Sequence, residues 1–77
     1  MIYYKSMPMT ISAANKRKWT IIDIPRREDL SYVGILNRVS KHTKGRWIHK
    51  YDFSGGGTFA FESFDDATLV NLQLNFF

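Results

Sequence analysis

The sequence predicts a small, single-domain α+β protein, on three observations. Its apolar residues change from strand-like alternation to helical spacing and back, in the order strand, helix, strand, strand, helix. One glycine-rich turn, Ser54-Gly55-Gly56-Gly57, joins the two middle strands. The chain has 77 residues and no cysteine, which allows one core and no disulfide to support it.

Residues 1–18 are read as an N-terminal arm or edge strand, and residues 19–77 as the domain. Met1 to Ile11 mixes Ile2, Tyr3, Tyr4, Met7, Met9 and Ile11 with Pro8, and proline in a strand is confined to edges and bulges. Asn15-Lys16-Arg17-Lys18 follows as a basic run. Trp19 to Ile24 is rich in β-formers and stops at Pro25, so it is expected as the first strand.

A helix is expected from about Arg27 to Thr43. Tyr32, Ile35, Leu36 and Val39 repeat at helical spacing, and Leu30 and Val33 widen the stripe. Glu28 and Asp29 near its start, and Lys41, His42 and Lys44 near its end, suit the helix dipole. Gly45 is expected as the C-cap. Gly34 lies mid-helix at a cost of about 1 kcal/mol against alanine, which a close approach of the sheet would explain.

Trp47 to Phe53 alternates, with Trp47, His49, Tyr51 and Phe53 on one face and Ile48, Lys50 and Asp52 on the other. Thr58 to Ser63 is the return strand, and Phe59 and Phe61 share one face. Asp65 is expected as an N-cap. A second helix then runs from Asp66 to about Leu74, with a short strand over Asn71 to Phe77 as the alternative. The order β-α-β-β-α is that of a ferredoxin-like split unit lacking its last strand. Residues 2–11 or another subunit would fill the vacant edge.

Trp19-Thr-Ile-Ile-Asp-Ile-Pro25 and Gly57-Thr-Phe-Ala-Phe-Glu-Ser-Phe64 resemble the two strand motifs of the RNA-recognition domain, in the right order. Phe59, Ala60, Phe61 and Phe64 match the second motif. The resemblance implies that Phe59 and Phe61 stack on bases. The sequence departs from the pattern in three places. Gly57-Thr58 stands where the motif has a basic residue and a glycine, Thr20 where the first motif has an aromatic, and Glu62 where it has a buried aliphatic. With both phenylalanines turned to RNA, Glu62 would face the helices, and an unpaired buried carboxylate is costly. The reverse orientation, with both rings in the core and Glu62 in water, is therefore expected. The Phe-x-Phe strand with the following Asp-Asp-Ala and Leu-rich helix, residues 57–74, also resembles small bacteriophage α+β proteins. That likeness implies a viral accessory or structural role.

Charge is unevenly placed. Residues 1–50 carry all 11 Lys and Arg and three acids, a net +8, while residues 51–77 carry four acids and no base, a net −4. Such polarity favours an acidic partner at one end or head-to-tail packing of like subunits. Lys16, Arg17, Lys18, Arg26, Arg27, Lys41, Lys44, Arg46 and Lys50 are the candidate contacts to nucleic-acid phosphates, if they gather into one rim. Ile2, Tyr3, Tyr4, Phe76 and Phe77, apolar residues at the two ends, are the candidate anchors in a protein partner.

No catalytic constellation is recognised. The glycine run leads into a strand and lacks the Gly-Lys-Ser/Thr of a phosphate loop. His42 and His49 have no third ligand at metal-binding spacing, and no cofactor or metal is expected. No stretch reaches the length of a membrane span, and no secretory leader is expected. Without cysteine, a cytoplasmic location fits, in a host cytoplasm or virion if the protein is viral. The expectation is a non-catalytic interaction protein, a component or accessory of a larger assembly, a viral one if the bacteriophage likeness holds, acting through a protein partner or self-association. A nucleic-acid-binding module and a viral inhibitor of a host protein are the alternatives.

Overall fold

The computed structural model describes residues 10–52 and 55–75. Its elements are α1 (Ile11–Lys16), β1 (Thr20–Ile24), α2 (Tyr32–His42), β2 (Trp47–Tyr51), β3 (Gly57–Phe61) and α3 (Phe64–Asn75). The three strands form one antiparallel sheet in the order β1-β3-β2. Both outer strands run against β3, with Thr20 and Trp47 beside Phe61 and Ile24 and Tyr51 beside Gly57.

The main core lies between one sheet face and helices α2 and α3. Trp47, Phe59 and Phe61 are fully buried there, with Ile24, Ile35, Val39 and Val70. Trp47, Phe59 and Phe61 stack on one another pairwise, with ring centroids 6.0 to 6.4 Å apart. Rings stacked in this way add about 0.5–1.5 kcal/mol per pair beyond the area they bury. Alternation along β3 sends Ala60 to the opposite face, where it meets Ile48, Trp19 and Ala14 in a second, smaller cluster. The sheet is thus covered by two helices on one face and, at one end, by α1 on the other.

That second cluster corrects the reading of residues 1–18 as an arm or edge strand. Residues 11–16 are a helix. Thr10 caps it by accepting from the Ala13 N–H at 3.1 Å, and the alanines that follow are strong helix formers. Ala14 is fully buried against the sheet. The expected pairing of residues 2–11 with a sheet edge fails for residues 10 and 11, which belong to α1 and its cap; residues 2–9 lie outside the described residues.

α2 begins five residues later than expected. Ser31 is its N-cap, accepting from the Gly34 N–H. Glu28 and Asp29 therefore lie in the preceding loop, away from its first turn. Thr43 ends the helix in an extended conformation, so Gly45 is not its C-cap. Gly45 instead lies where a Cβ would stand 3.3 Å from Asp66. Nor does the sheet approach Gly34, whose nearest neighbour is the Leu30 side chain.

Between β2 and β3 the turn carries Gly55 at φ +98°, and Gly57 sits under Tyr32. A Cβ at Gly57 would come within 2.7 Å of the Tyr32 hydroxyl and 2.8 Å of the Lys50 carbonyl. α3 starts at Phe64, capped by Ser63, whose Oγ accepts from the Asp66 N–H. Asp65 is thus inside the first turn and not the cap. Residues 71–75 are helical, which removes the alternative of a last strand there.

Candidate functional site

β1 is an edge strand among the described residues, and α3 lies over it. At the far end, the Asn75 Nδ2 donates to the Asp23 carbonyl (3.0 Å) and to the Asn71 Oδ1 (2.6 Å). The Asn75 Oδ1 is buried with no donor among the described residues. Arg27, from the loop after β1, donates to the Leu74 carbonyl at 3.0 Å while Asp29 holds it bidentately. This pair fixes the last turn of α3, and the Arg27 guanidinium keeps the exposed Asp29 carboxyl below its usual range.

Between β1 and α3 runs an open groove of about 240 Å³, lined by Thr20 and Ile22 on the strand and Phe64, Thr68, Asn71 and Leu72 on the helix. It is smaller than the roughly 300–1,000 Å³ of a small-molecule pocket. Phe64 is 70% exposed and Leu72 51%. Phe64, Thr68 and Leu72 stand four residues apart and so form one stripe along the helix. Ile21, at the outer face of β1, is exposed as well. α3 carries Phe64, Leu69, Val70, Leu72 and Leu74, more apolar residues than the face turned to the sheet can bury. That surplus was visible in the sequence, but which residues it leaves outside depends on how the helix is turned, and this was missed.

The candidate phosphate contacts do not form one rim. Lys16, Arg17 and Lys18 lead into β1, Arg46 into β2, and Lys41 and Lys44 lie at the end of α2. Arg26, Arg27 and Lys50 lie at the other end of the sheet. Two of the nine are engaged in ion pairs: Arg27 with Asp29 and Arg46 with Glu62. Arg46 also lies over the Trp19 ring, 5.9 Å from its centroid. The Glu62 carboxyl is held low by Arg46 first and by nearby Arg17 less strongly, and the pair raises the Arg46 guanidinium. Glu62 is thus in water, and Phe59 and Phe61 are buried against the helices. The rings are consequently no stacking platform for bases. The expected partner anchors Ile2, Tyr3, Tyr4, Phe76 and Phe77 lie outside the described residues.

Asp66 is the one buried carboxylate in the first turn of α3. It accepts from the Gly45 N–H at 2.8 Å and from the Lys44 N–H at 3.2 Å, tying the α2–β2 loop to α3. The histidines are placed apart. His42 ends α2, and His49 is half-buried in β2, its Nδ1 2.9 Å from the Tyr32 hydroxyl. Burial lowers the His49 pKa from its ordinary value. Among the described residues no three His, Cys, Asp or Glu side chains gather where they could hold a metal, and no helix is long and apolar enough to cross a membrane. Comparison with family models, with characterised proteins and with solved structures finds no match to this chain.

Proposed function

We propose that this chain is a non-catalytic protein-interaction module, a component or accessory of a larger assembly, and that the β1–α3 groove is its contact surface. The observation that carries the reading is the exposed stripe of Phe64 and Leu72 beside the open edge of β1. Large apolar side chains rimmed by polar ones mark contact sites. The strand order β1-β3-β2, with α2 between β1 and β2, also supports reading the domain as a ferredoxin-like split unit. The last strand of such a unit would lie along the free edge of β1, where the groove is.

Lys16, Arg17 and Lys18 before β1 and Lys44 before β2, all at one end of the sheet, favour a second reading, a nucleic-acid contact at that end, which would weaken steeply with salt. Both readings are tested by isolating the tagged chain with its partner from its native host. A protein that accompanies the unaltered chain and the Lys18→Glu variant, but not a Phe64→Lys, Leu72→Lys double variant, supports the first. Loss with Lys18→Glu and retention with the double variant contradicts it.

A further inference from the structure

The outer edge of β1 bears no further strand among the described residues, and we infer that it is latched against one. The Asn75 side chain, together with α1 and Pro25, keeps a strand of a second copy or of a partner from extending the sheet there. This goes beyond the reading of the groove and does not depend on it.

The hydrogen-bond ladder decides which groups face out. The Glu62 N–H donates to the Arg46 carbonyl, and the Asp52 N–H to the Gly56 carbonyl. Thr58 and Ala60, which continue that alternation, bond to β2 as well. Alternate residues of an antiparallel strand bond to opposite neighbours. Gly57, Phe59 and Phe61 therefore bond to β1, at Ile24, Ile22 and Thr20. Ile21 and Asp23 turn their backbone groups outward, and Trp19 and Pro25 are the next positions of the same series. An unpaired row of this kind is what a new strand would use.

That row is mostly occupied. The Trp19 N–H donates to the Ala14 carbonyl at the end of α1, at 3.1 Å. The Asp23 carbonyl accepts from the Asn75 Nδ2 at 3.0 Å. Pro25 has no N–H to give. Among the described residues Ile21 alone keeps both a donor and an acceptor. A paired strand exchanges both bonds at alternate residues, so the edge offers one complete position, too little to hold a strand.

Asn75 is placed for this role. Its amide nitrogen also donates to the Asn71 Oδ1, one turn earlier on α3, which holds the side chain over β1. The turn that carries it is anchored separately, by Leu74 in the core and by Arg27 on the Leu74 carbonyl. Removing the Asn75 amide should therefore free the Asp23 carbonyl without loosening α3. Ile21 and Asp23 would then be two adjacent pairing positions. An antiparallel pairing of two copies centred on Ile22 sets Ile21 of one opposite Asp23 of the other.

The test compares the isotope-labelled full chain with its Asn75→Ala variant, in a protein dilution series and in a titration with the capped strand-forming peptide Thr-Val-Thr-Val-Thr. The unaltered chain is expected to show no shifts of the β1 amides up to millimolar concentration of either. The variant is expected to show saturable shifts in residues 20–24, with at least about fivefold tighter pairing, as one added net hydrogen bond gives. Adding Ile21→Pro, which removes an outward N–H and leaves the bonds to β3, should abolish those shifts. Saturable β1 shifts in the unaltered chain overturn the inference, because the edge is then open. So does pairing that survives Ile21→Pro, or an Asn75→Ala chain that keeps its β3 amides protected and pairs no more tightly than the unaltered one. Asn75 then only fastens α3. If Asn75→Ala loses protection in β3, Asn75→Asp, equal in size and without the donor, is judged by the same outcomes.

Discussion

At Asp66 one carboxylate closes the loop between two elements. It accepts from the backbone N–H groups of Lys44 and Gly45. Hydrogen bonds to a charged acceptor are worth about 1.5–3 kcal/mol each, so Asp66→Ala is expected to cost about 2–4 kcal/mol in urea unfolding. Asp65→Ala, at an exposed position, is expected to leave the midpoint unchanged. Equal effects would contradict the role given to Asp66. His49 makes a second residue-scale prediction. Its folded pKa is lowered by burial among Trp47, Phe59 and Tyr32, beside Lys50. A depressed pKa means the unfolded chain takes the proton first. The contribution is therefore full above the ordinary histidine value near 6.5, and is lost as pH falls from there through the folded pKa. Thermal unfolding should show the midpoint dropping across that window, and His49→Gln should flatten the drop. An unchanged slope in His49→Gln would assign the effect to another group.

Among the elements, those with a full period of apolar residues were legible in advance. β1, β2, β3 and α3 stand within a few residues of where their patterns put them, because Ile22 and Ile24, Trp47 and His49, and Phe59 and Phe61 alternate against one face. The inward orientation of Phe59 and Phe61 also followed from the cost of burying Glu62. The start of α2 was not legible: Leu30 continues its stripe, but Ser31 supplies the cap and Arg27 is turned to the end of α3. α1 was missed because six residues cannot show a helical period. Its stability comes from contacts far along the chain, Ala14 and Trp19 meeting Ile48 and Ala60. α1 is therefore expected to detach on its own. Ala14→Glu places a charge in a fully buried position and should cost about 1–3 kcal/mol. Amide exchange should then show residues 11–16 unprotected and β3 still protected. Loss of protection in β3 would mean that α1 is integral to the sheet.

On the scale of the whole molecule, the charge asymmetry of the chain does not survive folding as a single basic patch. Antiparallel pairing returns the chain to each end of the sheet, so bases from residues 16–18, 44 and 46 meet Glu62, Asp65 and Asp66 at one end, while Arg26, Arg27 and Lys50 stand at the other. That was beyond the reach of the sequence, because it depends on β3 lying between β1 and β2. The surface that folding does concentrate is apolar, on α3 beside β1, and it is the basis for the proposed role. The most direct test places a photo-crosslinking residue at position 64 or 72, and at exposed Asn37 on α2 as the control, in the chain expressed in its native host. The account predicts one protein adduct formed from positions 64 and 72 and absent from position 37. Equal labelling from all three positions, or adducts to nucleic acid alone, would contradict it.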